Sequence, residues 1–580
     1  MSEQRFLLTA INAKYIHSNL AVYSLRSAAA ERGFQVELAE FTINHYVEQI
    51  LQELYRRSPR VLFFSCYIWN WEYVKELAAE CRKIMPDTPI WVGGPEVSYD
   101  AWRVLQENPA ITGVLLGEGE ESFPQLLEAY CREDSFEGID GLAFRRESGE
   151  ICIRPQLQLP DLNKIPFPYG DMEEFEHKIV YYESSRGCPF SCSYCLSSIE
   201  KRVRFRDLNL VKQELGFFLQ KKVPQVKFVD RTFNCRESHA LEIWSYLLEH
   251  DNGVTNFHFE IGADLLTDKE LALMERMRPG LIQLEIGVQS TNGRTLEEIR
   301  RVMDFSLLRQ RVRQVQSFGN IHQHLDLIAG LPYEDLERFA RSFDEVFALR
   351  PEQLQLGFLK VLKGSYMQEK AGDYGILYGE RAPYEVLQTD WMSYADLLRL
   401  KGIEQMVEVY YNSHQFSLIL AELLKEWPSA FAFFDALATY YEKNGYGSVQ
   451  HARARRYEIL LEFIGNCMQK PMPELEKYRE LLTFDYYLRE YAKSRPAFAA
   501  DITPYKEQLR RIQKVYGKDK HVEPGYFMGE ARGKEPVFWL FDYENRSPLT
   551  KDAALSRVDL EQVEEQAVLR RETWERREKL

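Results

Sequence analysis

The chain has 580 residues, 73 Lys and Arg against 88 Asp and Glu, a formal net charge of −15 and a hydrophobic content of 45%. That length implies about three to four domains, and the composition is ordinary for a globular protein. The acidic balance argues against a large nucleic-acid footprint, which needs a basic face. No run of eighteen apolar residues occurs, so no spanning helix and no membrane partner are expected. Met1-Ser2-Glu3-Gln4-Arg5 leads into Phe6-Leu7-Leu8 without a cleavage pattern. The nine cysteines are too scattered for a disulfide framework. Both features predict a cytoplasmic protein.

Residues 1–135 alternate short apolar runs with amphipathic stretches. Strands are expected at Phe6–Ile11, Phe34–Phe41, Val61–Phe64, Ile90–Val92 and Val114–Leu116. Helices are expected at Leu20–Arg32, Tyr46–Arg57 and Trp71–Met85, with another starting at Ser122 as N-cap. Five β-α units of this rhythm predict a doubly wound, Rossmann-like parallel sheet that binds ligands beyond its carboxyl strand ends. The loops there carry Ser65, Gly93-Gly94-Pro95 and Gly117-Glu118-Gly119-Glu120. Glycine lets a backbone approach a ligand closely, but it also serves tight turns. Residues 136–175 read as a β-hairpin around Glu147-Ser148-Gly149-Glu150, then a stiff linker holding Pro155, Pro160, Pro166 and Pro168 within 14 residues.

The next stretch, Ser185-Arg186-Gly187-Cys188-Pro189-Phe190-Ser191-Cys192-Ser193-Tyr194-Cys195, spaces three cysteines as C-x3-C-x2-C. Three thiolates on one loop suit a metal or cluster, and a cubane would keep one iron free of protein ligands. Zinc is the rival, but structural zinc wants four ligands, and His177 and Cys235 stand at no familiar spacing. From 176 to 370, six β-rich segments each precede a helical one: Ile179–Ser184, Gln225–Val229, Asn256–Ile261, Leu281–Val288, Ile321–Ile328 and Gln353–Val361. Thr267-Asp268-Lys269-Glu270 fits a capping box. Parallel barrels place chemistry at the C-terminal strand ends. Asp230-Arg231-Thr232, Glu260, Gln289-Ser290 and Asp326 stand there. Buried polar groups at strand ends are also often only satisfied structural groups. The basic run Lys201–Arg206 reads foremost as a solvated face or a source of internal salt bridges.

Residues 371–580 change period. Amphipathic helices are expected at Asp396–Gln405, Phe416–Leu424, Ala430–Lys443, Tyr457–Met468 and Pro473–Glu480, with a strand at Val537–Tyr543. The dense aromatics, among them Tyr410-Tyr411, Phe433-Phe434 and Tyr440-Tyr441, read as a helix-bundle core rather than a substrate box. The charged stretch Gln562–Lys579 reads as a solvated helix or frayed tail.

The cysteine spacing, with aromatic Tyr194 before the last cysteine, resembles the radical S-adenosylmethionine (SAM) superfamily. The resemblance implies a partial (β/α)6 barrel and a [4Fe–4S] cluster on Cys188, Cys192 and Cys195, with SAM on the fourth iron. It implies SAM contacts from Tyr194, from Asp230 and Thr232 to the amine, from Glu260 to ribose, from Gln289 to the nucleoside, from Arg301 to the carboxylate, and from Ser290 and Asp326. Asp230-Arg231 replaces the glycines usual after strand 2. The N-terminal loops resemble the cobalamin-binding domain fused to many such enzymes, which implies cobalamin contacts from Ser65, Gly93, Gly94, Gly117, Glu118 and Gly119. The Asp-x-His-x-x-Gly axial-ligand motif is absent. His17, in the first loop, is either a ligand or a helix-entry residue bonded to backbone. The C-terminal region resembles a mainly helical family-specific extension.

The resemblance implies a cobalamin-dependent methyltransferase that acts on an unactivated carbon of a small molecule or peptide. A flavodoxin or ferredoxin type of donor would supply its electrons. The alternatives are a methylthiotransferase acting on RNA, which carries a second cysteine trio where this chain has spread Cys66, Cys81 and Cys131, and a non-catalytic cobalamin or redox sensor.

Overall fold

A computed structural model describes residues 5–492, 494–517, 519–527 and 536–565. The chain divides into two compact units, one of Met1–Arg338 with Gly357–Tyr394, the other of Phe339–Leu356 with Ala395–Leu580.

The first unit opens with a seven-stranded sheet. Its strands are β1 (Phe6–Asn12), β2 (Val36–Thr42), β3 (Val61–Ser65), β4 (Ile90–Gly93), β5 (Gly113–Leu115), β6 (Leu142–Arg145) and β7 (Ile151–Arg154), in the order β2-β1-β3-β4-β5-β6-β7. β1 to β5 pair in parallel, and β6 and β7 add an antiparallel hairpin to the β5 edge. All seven residues of β1 are buried, as a central parallel strand covered on both faces requires. One face packs Ile50, Leu54, Trp71, Val74 and Leu77 from the helices Val47–Arg57 and Trp71–Ile84. The other packs Ala29, Phe123, Leu126 and Leu127 from the helices Leu20–Glu31 and Gly119–Arg132.

The last of these helices starts three residues before the expected Ser122, which is buried inside it. The reason is close packing: a Cβ on Gly119 would sit 2.9 Å from Leu25 Cδ2. The strand order reverses between β1 and β3, and the crevice at such a switch point is where doubly wound sheets take ligands. Asn70 fastens it. Its side chain donates to the carbonyls of Ile11 (3.0 Å) and Ser65 (2.8 Å) and accepts from the Tyr67 amide at 2.8 Å.

The second sheet of the unit is six-stranded. It contains β8 (Val180–Tyr182), β11 (Gln225–Phe228), β12 (Asn256–Ile261), β13 (Ile282–Gln289), β14 (His322–Ala329) and β15 (Gln353–Phe358) in the order β15-β14-β13-β12-β11-β8. Between β8 and β11, the short strands β9 (Ser185–Arg186) and β10 (Arg204–Phe205) form an antiparallel ribbon. The neighbouring pairs from β8 to β14 are parallel. Helices such as Leu208–Gln220 and Glu237–Glu249 cover Val226, Phe228, Phe257 and Phe259 on the outside. Thr267 caps the helix Asp268–Glu275 through the expected box with Glu270. A two-stranded hairpin, β16 (Leu377–Tyr378) and β17 (Val386–Gln388), lies near the end of the unit.

The second unit is mainly helical. Ala430–Lys443, Arg453–Cys467 and Met472–Arg489 are its longest complete helices. Phe433, Phe434, Tyr410 and Tyr441 are buried, and the last two share a hydroxyl hydrogen bond of 2.6 Å. Buried Asp485 accepts from the Leu418 and Ile419 amides and so caps the helix Ser417–Leu423. β18 (His521–Gly525), β19 (Val537–Arg546) and β20 (Ala553–Arg557) close this unit as an antiparallel sheet. The charged stretch Gln562–Lys579 lies, beyond residue 565, outside the described residues.

Gly94 tests the close packing beneath the switch point. It has φ +118°, and a Cβ there would sit 2.4 Å from the Cys66 carbonyl oxygen. Gly149 has φ +86° and open space around it. Gly149→Ala should cost about 1 kcal/mol of backbone strain, and Gly94→Ala on the order of 3 kcal/mol because overpacking adds to the strain. Thermal unfolding midpoints of the two variants check this.

Candidate active site

The cysteine loop hangs from the ends of β8 and β9. Asp230, at the end of β11, is 1% exposed. It accepts from the Ser184 amide (2.9 Å), the Ser184 hydroxyl (2.7 Å) and the Ser185 hydroxyl (2.6 Å). His239 lies 2.9 Å from the Ser184 hydroxyl. Burial pushes the Asp230 carboxyl up to about 6, against the pull of these donors. Its oxygens face the loop root rather than open space, so the expectation that Asp230 meets a ligand amine gives way to a role in holding the loop. Gly187 has φ +95°, and a Cβ there would sit 2.5 Å from the Arg202 carbonyl oxygen. Only glycine fits that approach.

Cys188 and Cys192 are buried, Cys195 is half-buried, and all three are free thiols. Thr232 sits beside them, its hydroxyl 3.7 Å from Cys188 Sγ. Burial raises the Cys192 thiol, and the Arg301 guanidinium, 3.9 Å from its sulfur, pulls it back toward thiolate. Among the described residues, the group of His, Cys, Asp and Glu whose ligand atoms all lie within 4.8 Å of one another is Glu285, His324 and Asp326, not the cysteine trio. The trio therefore does not offer the tight cage one zinc ion needs. It fits a polynuclear cluster, in which each thiolate serves a different metal.

Three side-chain groups at or just beyond the strand ends are left without a protein partner among the described residues. Among the described residues, no hydrogen bond or ion pair reaches the Glu260 carboxylate. Burial pushes that carboxyl up to about 7, against the pull of Arg231. Gln289 Oε1 and Arg301 Nε are buried and unpaired. Gln289 holds φ +71°, a sparsely populated conformation for a residue with a side chain. Its amide packs so closely on Gly287 that a Cβ there would sit 2.4 Å from Gln289 Nε2. Arg301 also donates to the Gly287 carbonyl and lies 3.5 Å from the Tyr194 hydroxyl. A buried acceptor pair and a buried donor left open together suit a ligand with hydroxyls and a carboxylate, such as a nucleoside joined to an amino acid. Ser290 does not belong to this set. It is fully buried and its hydroxyl donates to Glu334 at 2.6 Å.

Beneath lies a polar lumen that sequence reading missed apart from Glu260 and Asp326. Lys227 and His258 pair with Glu285 at 2.8 and 3.0 Å, and His324 pairs with Asp326 at 2.9 Å. The signal was legible: charged residues alternate with apolar ones along β11 to β14, a period of two that sets them on the face away from the helices. The Lys227 ammonium already balances Glu285, which argues against a metal ion among Glu285, His324 and Asp326.

The strand-end loops of the first sheet split in their roles. Ser65 accepts from Asn19 at 3.3 Å, and Gly93, Gly94 and Gly117 shape the crevice rim, Gly117 with φ +66°. Glu118 departs from expectation. Its carboxylate is committed to Arg186 and Arg204. His17 is neither free nor bonded to backbone through its side chain: Nδ1 lies 2.7 Å from the Tyr181 hydroxyl of β8. The basic run is an internal salt-bridge source, since Arg206 pairs with Glu214 at 2.6 Å.

The sheet order, the cysteine loop and the open polar groups near it fit a radical SAM domain behind a cobalamin-type domain. Family comparison agrees. Residues 7–127 match the B12 binding domain, 182–346 the radical SAM superfamily, and 372–528 a family described as a protein of unknown function (DUF4080). The chain is 26% identical to an uncharacterised methyltransferase of Pyrococcus horikoshii over 47% of its own length and 62% of the relative's. It is 25% identical to the cobalamin-dependent radical SAM methyltransferase TokK of Streptomyces tokunonensis over 55% of its own length and 50% of the relative's. The chain thus spans about half to three fifths of these curated relatives. Its fold is similar to that of the radical SAM methyltransferase TsrM from Kitasatospora setae, solved with cobalamin and a [4Fe–4S] cluster bound. The TM-score is 0.56, with 17% identity over 66% of this chain and 78% of that one. Among the described residues no helix is long and apolar enough to cross a membrane.

Asp230→Ala would strand three donors at the loop root. The expected loss is about 3 kcal/mol, against about 1 kcal/mol for Ser185→Ala. Thermal unfolding of the metal-free proteins checks this, because bound metal would mask the difference.

Proposed function

We propose that this protein is a radical SAM enzyme that uses a [4Fe–4S] cluster and cobalamin to methylate an unactivated carbon of a small molecule or peptide. The observation that carries the reading is the unpaired Glu260 carboxylate, Gln289 Oε1 and Arg301 Nε, with Arg301 beside Cys192 of three cysteines that do not form a mononuclear cage. When bound, the cluster, SAM and cobalamin supply one-electron cleavage of a sulfonium and a transferable methyl group. The chain's own residues orient and enclose them. Cys188, Cys192 and Cys195 hold the cluster, and Thr232 and Tyr194 line the space beside it. Glu260 accepts the ribose hydroxyls, Gln289 contacts the nucleoside, and Arg301, beside Cys192, neutralises the carboxylate. Asp230 holds the loop from below. Ser65, Gly93, Gly94 and Gly117 would line the strand-end crevice that takes the corrin, while Gly119 serves the packing of its helix on Leu25. Asp326 and the lumen below face the substrate. A small protein of the flavodoxin or ferredoxin type supplies the electrons.

The test uses anaerobically reconstituted protein with cobalamin, SAM and a low-potential reductant, and quantifies 5′-deoxyadenosine and S-adenosylhomocysteine. Both should form, with deoxyadenosine lost in Cys192→Ala. Deoxyadenosine without S-adenosylhomocysteine would overturn the methyl transfer, and neither product would overturn the reading.

A pH signature follows from Glu260. Ribose hydroxyls donate to the carboxylate, so SAM binding lowers the pKa of a group that burial holds at about 7. Binding at pH 7 should therefore release up to about half a proton. SAM affinity should weaken as pH falls below 7. Calorimetry in two buffers of different ionisation enthalpy measures the release. Glu260→Gln should abolish it and weaken binding about tenfold or more, the loss of hydrogen bonds to a charged acceptor.

A further inference from the structure

Arg186 stands one residue before Gly187-Cys188 and one after Ser185, which Asp230 holds. Its side chain is 16% exposed and its guanidinium meets three carboxylates. Nη1 donates to Glu118 (2.7 Å) and Glu120 (3.2 Å), Nη2 to Glu120 and Glu183 (both 2.5 Å), and Nε to both oxygens of Glu183 at 3.0 Å. Across the β9–β10 ribbon, directly opposite in register, Arg204 donates to the other oxygen of Glu118 and to the Pro160 carbonyl. The two strands forming the neck of the cysteine loop are thus gripped from outside by two carboxylates of the β5 exit. Those carboxylates are themselves fixed. The Glu118 backbone is clasped by the Gln156 side chain at 3.0 and 2.7 Å, and Glu120 accepts from Ser24 at 3.0 Å.

We propose that Arg186, with Glu118 and Glu120, is a positioning latch that couples the two cofactor sites: the carboxylates set the cysteine loop and do not contact cobalamin. This rests on the function proposed above. A ligand settling at the β5 exit beside Gly117 presses on the residues next to Glu118, and any shift there reaches Gly187-Cys188 through one bidentate side chain. A guanidinium in a planar fork transmits direction as well as charge, which an ammonium does not. The coupling must be reciprocal, so a formed cluster tightens cobalamin binding by the same factor by which cobalamin tightens cluster binding.

The experiment measures the cobalamin dissociation constant by absorbance in metal-free and in cluster-reconstituted protein, and the rate of iron loss to a chelator. Wild type should bind cobalamin about fivefold or more tightly with the cluster in place, the low end of known coupling. In the isosteric E118Q/E120Q variant that ratio should fall to near one and iron loss should quicken. Arg186→Lys, which keeps the charge but not the fork, should fall between. An unchanged ratio and unchanged iron loss in E118Q/E120Q would overturn the latch. Equal weakening of cobalamin with and without the cluster would also overturn it, since that is the mark of direct contact. A wild type that assembles a cluster but binds no cobalamin would instead defeat the cobalamin half of the proposed function, and iron loss in the variants would then decide whether Arg186 positions the loop. A wild type without a cluster would overturn both.

Discussion

A buried guanidinium can use its five donors only where carboxylates converge on it. Arg186 meets that requirement with residues from two sheets, Glu118 and Glu120 from the first and Glu183 from the end of β8. Lys363 makes a related demand, pairing with buried Glu96 beside the β4 exit at 2.8 Å. So does Lys178, whose ammonium reaches Glu40 of β2 at 2.8 Å. These ion pairs are largely enclosed and weakly screened. They fix the carboxyl ends of the first sheet against the rim of the second, which is where the crevice and the cysteine loop both lie.

Inside the second sheet the same physics runs in the opposite sense. Closed parallel barrels fill their interiors with branched apolar side chains. Here the inward positions of β11 to β14 hold Lys227, His258, Glu260, Glu285, Gln289, His324 and Asp326. Most of these balance one another. Glu285 is held far below the usual carboxylate range, because His258 and Lys227 outweigh its burial. Asp326 is raised by burial despite His324. Among the described residues, Glu260 alone of these inward carboxylates lacks a hydrogen-bond or ion-pair partner. A group whose burial lifts its pKa from 4.5 to about 7, on the order of a few hundred-fold in proton affinity, marks a place where the fold is not self-sufficient.

Much of this was legible in the sequence. The period of the apolar runs placed ten strands of two parallel sheets within a residue or two, because strands covered on both faces read as continuous hydrophobic segments. The cysteine spacing and the polar residues at the strand ends, Gln289 among them, pointed to the candidate site. What the sequence could not supply was engagement. Asp230 and Ser290 stand at strand ends like Glu260 and Gln289, yet the first two are consumed by Ser184, Ser185 and Glu334. The Arg186–Glu118 pair spans 68 residues, and no local pattern announces a contact at that separation. The early start of the helix Gly119–Arg132 was hidden for a related reason: a glycine that usually signals a turn here allows two helices to touch.

The hairpin of β6 and β7 has a bearing on how the chain behaves in a crowded solution. A parallel sheet that stopped at β5 would present a bare row of amides and carbonyls, a template for a neighbouring copy to zip onto. Instead the outermost strand is four residues long and runs into Pro155, which has no amide hydrogen to donate. At the opposite margin β2 carries Glu37, paired with Arg57 at 2.5 Å. Both margins of the sheet are therefore poor nuclei for edge-to-edge aggregation, and the N-terminal domain can keep its ligand crevice open without inviting another chain to pair beside it.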